Sequence, residues 1–261
     1  MWTPAGQRFE DAVLRAAELA GGASAARTLN TFTVSGLVAA TVAVLAIGLL
    51  RRRPLLAGLA TGVIAASVLT TELLQRSVLR PILIEHGRRR DDQSFPSGHA
   101  TVAMAVMCAL VLVAPYRFRG AAVLLTSAGA ASVGVATVTA GWHRPSDTIG
   151  SDLIVVIYAC VAVAVLARLG RVGEATPGTS GGRAARTLLV VGYAVVGVVA
   201  FGVTAAVIGS IPDDLNVSQF VGPSVLTGGR AAALSGTAAV ALALLALLRR
   251  VDLNPTDREI R

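Results

Sequence analysis

The amino-acid sequence predicts an all-α fold, a polytopic membrane helical bundle with about seven transmembrane helices. Of its 261 residues, 54% are hydrophobic, and several stretches of about twenty residues contain almost no charge. Such a stretch has the length that a helix needs to cross the hydrocarbon core of a bilayer. The apolar residues are chiefly Ala, Val, Leu and Gly, which let helices pack closely in lipid. A soluble globular core is therefore disfavoured.

The charge-free stretches also predict the organisation of the chain. The expected membrane helices span 31–50, 55–75, 97–114, 120–141, 148–167, 187–210 and 229–248. We expect residues 1–30 to form an external amphipathic segment. Within it, apolar side chains recur at helical spacing over 7–20, and this pattern predicts a helix at the membrane interface. We expect a transmembrane core at 31–169, a cytoplasmic linker at 170–186, two additional transmembrane helices at 187–250 and a cytoplasmic tail at 251–261.

The distribution of arginine predicts the orientation in the membrane. All 23 basic residues are arginine, and thirteen of them lie after the first, third, fifth and seventh predicted helices. The positive-inside rule then puts the C-terminus in the cytoplasm and the N-terminus outside. Because topology accounts for most of these arginines, the net charge of +8 does not indicate nucleic-acid binding.

Three separated pieces of the chain reach the outer surface under this topology. They are ELLQRSVLRP at 72–81, SFPSGHA at 94–100 and GWHRPSD at 141–147. Ser97 is expected to cap a helix whose first N–H groups, beside Gly98, attract an anion, with His99 in the same turn. A capped transmembrane helix with an interfacial histidine is the alternative.

The third piece has a pair of residues suited to nucleophilic catalysis. His143 and Asp147 are four residues apart, so that in a helical turn the carboxylate can orient the imidazole for attack on an electrophile. Alternatively, Ser146 or Asp147 caps only the next helix. No cluster of Cys, His or acidic residues has the spacing of a metal site, and we expect no metal and no cofactor.

Two arginines end the second predicted helix. Arg80 stands before Pro81, and Arg76 lies one turn earlier, where like charges repel each other. The pair is tolerable if Glu72 binds Arg76 or if an anion lies between the two guanidinium groups. Extension of both side chains toward the lipid headgroups is the simpler explanation.

Together these motifs resemble the type 2 phosphatidic acid phosphatase superfamily, which includes lipid phosphate phosphatases and the related vanadium haloperoxidases. Arg80-Pro81, then the tetrapeptide Pro-Ser-Gly-His at 96–99, then His143 with Asp147 follow the family pattern in order, and the likeness covers roughly residues 55–167. The resemblance implies a helical bundle with a haloperoxidase-like core and a catalytic pocket at the membrane surface.

The resemblance also implies a role for each matching residue. His143 is the expected nucleophile, His99 the general acid and base, and Asp147 the group that orients His143. Substrate phosphate is expected to bind Arg80, Ser97 and Gly98.

Two family positions differ in this chain. Leu73 replaces a lysine and Thr137 an arginine, and losing one preorganised donor costs roughly 3 to 4 kcal/mol of barrier. Arg76, Arg144 or the run at 88–90 are expected to supply the missing charge.

The expected function is therefore that of a metal-independent membrane phosphatase acting on a lipid phosphate or diphosphate. Polyprenyl phosphates or diphosphates, phosphatidic acid and phosphatidylglycerol phosphate are candidate substrates. The absence of lysine suggests a GC-rich bacterial genome and thus a bacterial plasma membrane, and the arginine distribution puts the site on its external face. The expected partners are the lipid substrate and the membrane, without nucleic acid. A phosphotransferase and a catalytically weakened lipid-phosphate binding or transport protein are the alternatives.

Overall fold

The structure is a computed structural model that describes residues 3–30, 34–78, 83, 94–175, 180–211 and 222–253. It confirms an all-α bundle. Within these ranges the helices are α1 Pro4–Leu19, α2 Ala23–Asn30, α3 Val34–Leu50, α4 Pro54–Ser77, α5 Gly98–Val113, α6 Arg119–Thr139, α7 Pro145–Arg168, α8 Ser180–Ser210 and α9 Pro223–Leu247. A short 3-10 helix, Tyr116–Phe118, precedes α6. Two short strands, β1 Gly173–Glu174 and β2 Val251–Asp252, pair antiparallel.

Local chemistry explains where several helices begin. Pro54, Pro145 and Pro223 each occupy the first turn of a helix, where the missing N–H has no intrahelical partner to lose. Helix α5 begins after Ser97, whose Oγ accepts a hydrogen bond from the N–H of Ala100 at 3.4 Å. The predicted capping role of Ser97 is therefore confirmed.

Five helical segments in the described residues are long and apolar enough to span a membrane. They are Pro54–Ser77, Tyr116–Thr139, Pro145–Arg168, Gly182–Ser210 and Pro223–Leu247. Helices α3 and α5 are apolar but shorter, and the 16 residues of α5 extend only about 24 Å. The predicted total of seven spans therefore stays a prediction.

Helix α5 lies at the centre of the bundle and contacts α3, α4, α6 and α7. Met104, Cys108 and Leu112 are fully or almost fully buried along it, and they belong to one cluster with Ile64 of α4 and Val155 of α7. Helix α9 packs on α6, α7 and α8. Helix α8 leaves most of its apolar side chains exposed, as expected of a helix that faces lipid.

Helix α1 packs on other helices of the bundle, and its expected position at the membrane interface stays a prediction. It contacts α9 and α6, and its predicted apolar stripe, including Phe9 and Val13, is buried there. The acidic side chains of Glu10 and Asp11 are buried as well, each 4% exposed. Asp11 can be buried because it pairs with Arg144, which comes from a distant part of the chain.

The predicted linker at 170–186 is shorter in the structure. Helix α8 begins at Ser180, so that Arg183 and Arg186 lie on a helix and not in a flexible segment. The preceding Gly173–Glu174 strand pairs with Val251–Asp252, which ties the start of the predicted tail to the bundle. Good helix formers such as Ala and Arg within 183–186 favour the earlier start.

Candidate active site

The SFPSGHA segment docks onto the beginning of α7. The N–H of Ser97 donates to the carbonyl oxygen of Asp147 at 3.1 Å, and the Oγ of Ser151 donates to the carbonyl oxygen of Ser97 at 2.8 Å. The ring of Phe95 lies against Gly150, where an added Cβ would approach it to 2.4 Å. Two of the three predicted motifs therefore meet through direct contacts.

The structure brings His99 and His143 to the same end of the bundle. The rings of His99 and Trp142 lie with their centroids 5.5 Å apart, and Trp142 directly precedes His143. The side chain of His143 is 14% exposed, so that a ligand at this surface has access to it.

Asp147 is the most constrained side chain of the site. It is fully buried, and its Oδ2 accepts hydrogen bonds from the Arg144 N–H at 3.0 Å and from the Ser94 Oγ at 2.8 Å. The same Oδ2 lies 3.6 Å from Nδ1 of His143, which is longer than a hydrogen bond. Nδ1 of His143 is buried without a hydrogen-bond partner among the described residues. A small ring movement would therefore join the pair, as often happens when substrate binds.

The backbone around Gly98 suits an anion, although with fewer donors than expected. The N–H of Ser97 is occupied by Asp147, which removes it from the expected phosphate cradle. Helix geometry leaves the first-turn N–H groups of Gly98 and His99 without intrahelical partners. The nearest atom to an added Cβ at Gly98 is Nε2 of Gln75 at 3.9 Å, so that the backbone is open to close approach.

Arg76 has an acidic partner in the structure. Its side chain is 79% exposed and lies 3.7 Å from Glu72, the partner that the sequence offered for it. Leu73, at the family's lysine position, is 56% exposed, and Thr137, at the arginine position, is buried with its Oγ1 donating to Gly134. The expected compensation by Arg76 stays a prediction.

Arg144 is adjacent to His143 but already has an acidic partner. Its Nη2 lies 3.1 Å from Oδ1 of Asp11, and both side chains are at least nine-tenths buried. The guanidinium group therefore supports the loop between α6 and α7, and its expected contact with phosphate stays a prediction. Arg80, and the arginines at 88–90, lie outside the described residues.

Several supporting residues could not be found from the motifs. Asp11 lies in an amphipathic helix, 133 residues before Arg144, and nothing local signals this pairing. Gln75 donates to the carbonyl oxygen of Pro96 at 2.6 Å, and the hydroxyl groups of Thr71 and Thr101 are 2.9 Å apart. The position of Gln75 within the polar segment ELLQRSVLRP was the weak signal that pointed to it. These contacts connect α4 to α5 beside His99.

A cavity of about 770 Å³ extends from His99 into the apolar part of the bundle. Its walls come from α3, α4, α5 and α6, and most of them are hydrocarbon or glycine. Six of the apolar residues that line it are Leu37, Val68, Val106, Met107, Leu110 and Ala130. Glu72 and His99 provide polar groups at its margin, so that the cavity has the shape of an amphiphile site.

Comparison with known proteins identifies a family for this chain. No curated protein and no solved structure matches the chain. The model of the PAP2 superfamily matches residues 28–171, which include α3 to α7 and both histidines. Members of this family are generally phosphatases. The match covers more than half of the 261 residues, and the chain belongs to the PAP2 superfamily.

Proposed function

We propose that this protein is an integral membrane phosphatase that hydrolyses a lipid phosphate or diphosphate through a phosphohistidine intermediate. The observation that carries the proposal is the packing of His99 against Trp142, the residue before His143, with Asp147 3.6 Å from His143 and a mostly apolar cavity that His99 lines. A phosphate at the headgroup level and a hydrocarbon chain inside the bundle together fit this arrangement.

In the proposed mechanism His143 attacks phosphorus in line with the leaving oxygen. Asp147, held by Ser94 and the backbone of Arg144, orients the imidazole and stabilises its charged form. His99 donates a proton to the departing oxygen. It then accepts one from the water that attacks the phosphohistidine, which releases phosphate and restores both histidines.

Phosphate oxygens would bind donors that are preorganised around Gly98. The N–H groups of Gly98 and His99 point outward from the first turn of α5, where the helix dipole favours negative charge. Arg80 remains the proposed guanidinium partner, by its place in the family pattern. Because these groups stabilise charge without a metal, we expect phosphate release to persist in excess chelator.

The cavity supports a substrate with a long hydrocarbon chain. Its volume of about 770 Å³ and its apolar walls between α3 and α6 fit an acyl or prenyl chain better than a sugar or nucleotide. By the arginine distribution, the phosphate end lies on the external face of the membrane. Among the candidates, a polyprenyl phosphate or diphosphate of a bacterial cell envelope is our first choice.

One observation favours a second candidate, a lipid-phosphate binding protein with little turnover. Arg144 is paired with Asp11 and Arg76 with Glu72, which favours a site in which the family's cations at positions 73 and 137 are not replaced. The phosphatase and the binding protein would both bind a lipid phosphate, and they differ in the rate at which they release inorganic phosphate. A phosphotransferase of the same family would differ in its acceptor, an alcohol in place of water.

The test is release of inorganic phosphate from lipid phosphates by the purified protein in detergent. We expect release by the unchanged chain, and a loss of at least about 1,000-fold in His143→Ala, because the nucleophile is gone. His99→Ala should lose about 100-fold or more. His86→Ala, which changes the one histidine outside the motifs, is the matched control. Equal rates for the unchanged chain and His143→Ala would overturn the proposal.

A further inference from the structure

A second cavity lies at the end of the bundle opposite the two histidines. Helices α5 and α7 both begin at the histidine site, and the 24 residues of α7 extend about 36 Å away from it. Tyr116 follows the far end of α5 and Glu174 the far end of α7, and both line this cavity. Its volume is about 880 Å³. A full membrane thickness therefore separates it from the candidate active site.

The charge of this cavity is strongly positive. Four arginines line it, two from α8 and two that follow α9, against a single acidic residue, Glu174, in the described lining: Arg183, Arg186, Arg249 and Arg250. Arg186 donates from Nη2 to the carbonyl oxygen of Leu245, which holds it across the gap between the two helices. Arg249 and Arg250 are exposed, so that their guanidinium groups are accessible to an anion.

A fifth arginine adds positive charge from behind the cavity wall. Arg119 is 4% exposed and lies 5.4 Å from the centre of the Tyr116 ring. One of its nitrogens donates to the carbonyl oxygen of Val251 at 2.6 Å. Its Nε and Nη2 have no hydrogen-bond partner among the described residues. An anion in the cavity would reduce repulsion among these arginines.

The other side of the cavity is apolar. Val190 of α8 and Leu242, Leu245 and Ala246 of α9 line it, and these helices contact each other along their length. The positive-inside rule explains arginines at this end of the chain. That rule does not require four arginines to line a single cavity whose other wall is apolar. A ligand that satisfies both sides has an anionic head and an apolar tail.

We propose that this arginine pocket binds an anionic phospholipid of the cytoplasmic leaflet. The lipid phosphate would lie among the guanidinium groups, which bind phosphate oxygens in pairs, and an acyl chain would follow the groove between α8 and α9. Both helices lie beyond the residues that match the family. The proposal thus gives them a role as a lipid-binding unit, independent of the chemistry at the histidines.

The test is binding of phosphatidylglycerol by the purified full chain in detergent, measured by native mass spectrometry against phosphatidylcholine with the same acyl chains. We expect selective binding of phosphatidylglycerol. The double variant Arg249→Gln, Arg250→Gln should weaken that binding roughly 25-fold, about fivefold for each arginine removed. The control is Arg168→Gln, Arg171→Gln, which removes the same charge at the same end from residues outside the cavity lining. It should bind phosphatidylglycerol as the unchanged chain does.

Several results would overturn the proposal. They are equal binding of the two lipids, equal weakening in the control variant, and equal affinity for the free glycerophosphoglycerol headgroup, which would show an anion site without a lipid tail. Phosphatidylglycerol is a phosphodiester without the terminal phosphate that the active site would hydrolyse. His143→Ala should therefore retain its binding. If the double variant does not fold, Arg183→Gln alone should still weaken binding about fivefold.

Discussion

The buried pair of Asp11 and Arg144 makes a prediction that the family motifs do not contain. The pair joins α1 to the residue that follows His143, with 3.1 Å between Oδ1 and Nη2 and with 5% and 9% of the two side chains exposed. Asp11→Asn keeps the shape of the side chain and removes its charge. It leaves the Arg144 guanidinium buried without a counter-charge, which typically costs about 3 to 5 kcal/mol.

We expect the lower end of this range for Asp11→Asn, about 3 kcal/mol, because the amide oxygen still accepts a hydrogen bond from Arg144. The measurement is the free energy of unfolding in mixtures of mild detergent and sodium dodecyl sulfate. Phosphate release from a lipid phosphate should fall as well, up to about 100-fold, because the Arg144 backbone holds Asp147 and small displacements at a site are costly.

A double-mutant cycle distinguishes this pair from general damage to α1. Arg144→Gln alone leaves the Asp11 carboxylate buried and should also destabilise the fold, whereas the double variant removes both charges of the pair and should cost less than the sum of the two. Glu18→Gln, at the exposed end of the same helix, is the control and should leave stability unchanged. Equal unfolding free energies for Asp11→Asn and Glu18→Gln, or strict additivity in the cycle, would refute the reasoning.

Two further predictions follow from packing around the site. Gly150→Ala should destabilise the protein by about 1 to 3 kcal/mol, because its new methyl group meets the Phe95 ring, whereas Gly62→Ala, with no atom within 4 Å, should be neutral or stabilising in a thermal melt. Ala130→Phe should fill the cavity beside His99 and reduce phosphate release from a long-chain lipid phosphate about tenfold more than from a short-chain one. Leu125→Phe, exposed on the same helix, should reduce neither, and an equal effect of Ala130→Phe on both substrates would contradict the assignment of the cavity.

The sequence predicts the helical bundle and the motifs that contain His99 and His143, because both are recognised from local sequence signals. Apolar segments of membrane length determine most helices, and proline or a Ser97 cap marks where several begin. The motifs around His99 and His143 predict that two distant pieces meet, and the contact between Ser97 and Asp147 agrees with this.

Long-range polar pairing was not accessible to the same reasoning. By sequence, Glu10 and Asp11 belong to the solvent face of an amphipathic helix. The pairing of Asp11 with Arg144 is visible only in the structure. Arg144 itself looks like a phosphate ligand for the same reason, since its partner lies in another part of the chain. The arginine pocket likewise depends on the crossing of α8 and α9 and on the β1–β2 pairing, which no periodicity reveals.

The central claim is that His143 forms a covalent bond with the phosphate of a lipid. The most direct measurement is rapid quenching of the protein with a radiolabelled lipid phosphate at alkaline pH, followed by peptide mapping. We expect an acid-labile, base-stable label on the peptide that contains His143, and a longer-lived label in His99→Ala, which lacks the base for hydrolysis. Phosphate release without label at His143, or label that persists in His143→Ala, would contradict the account.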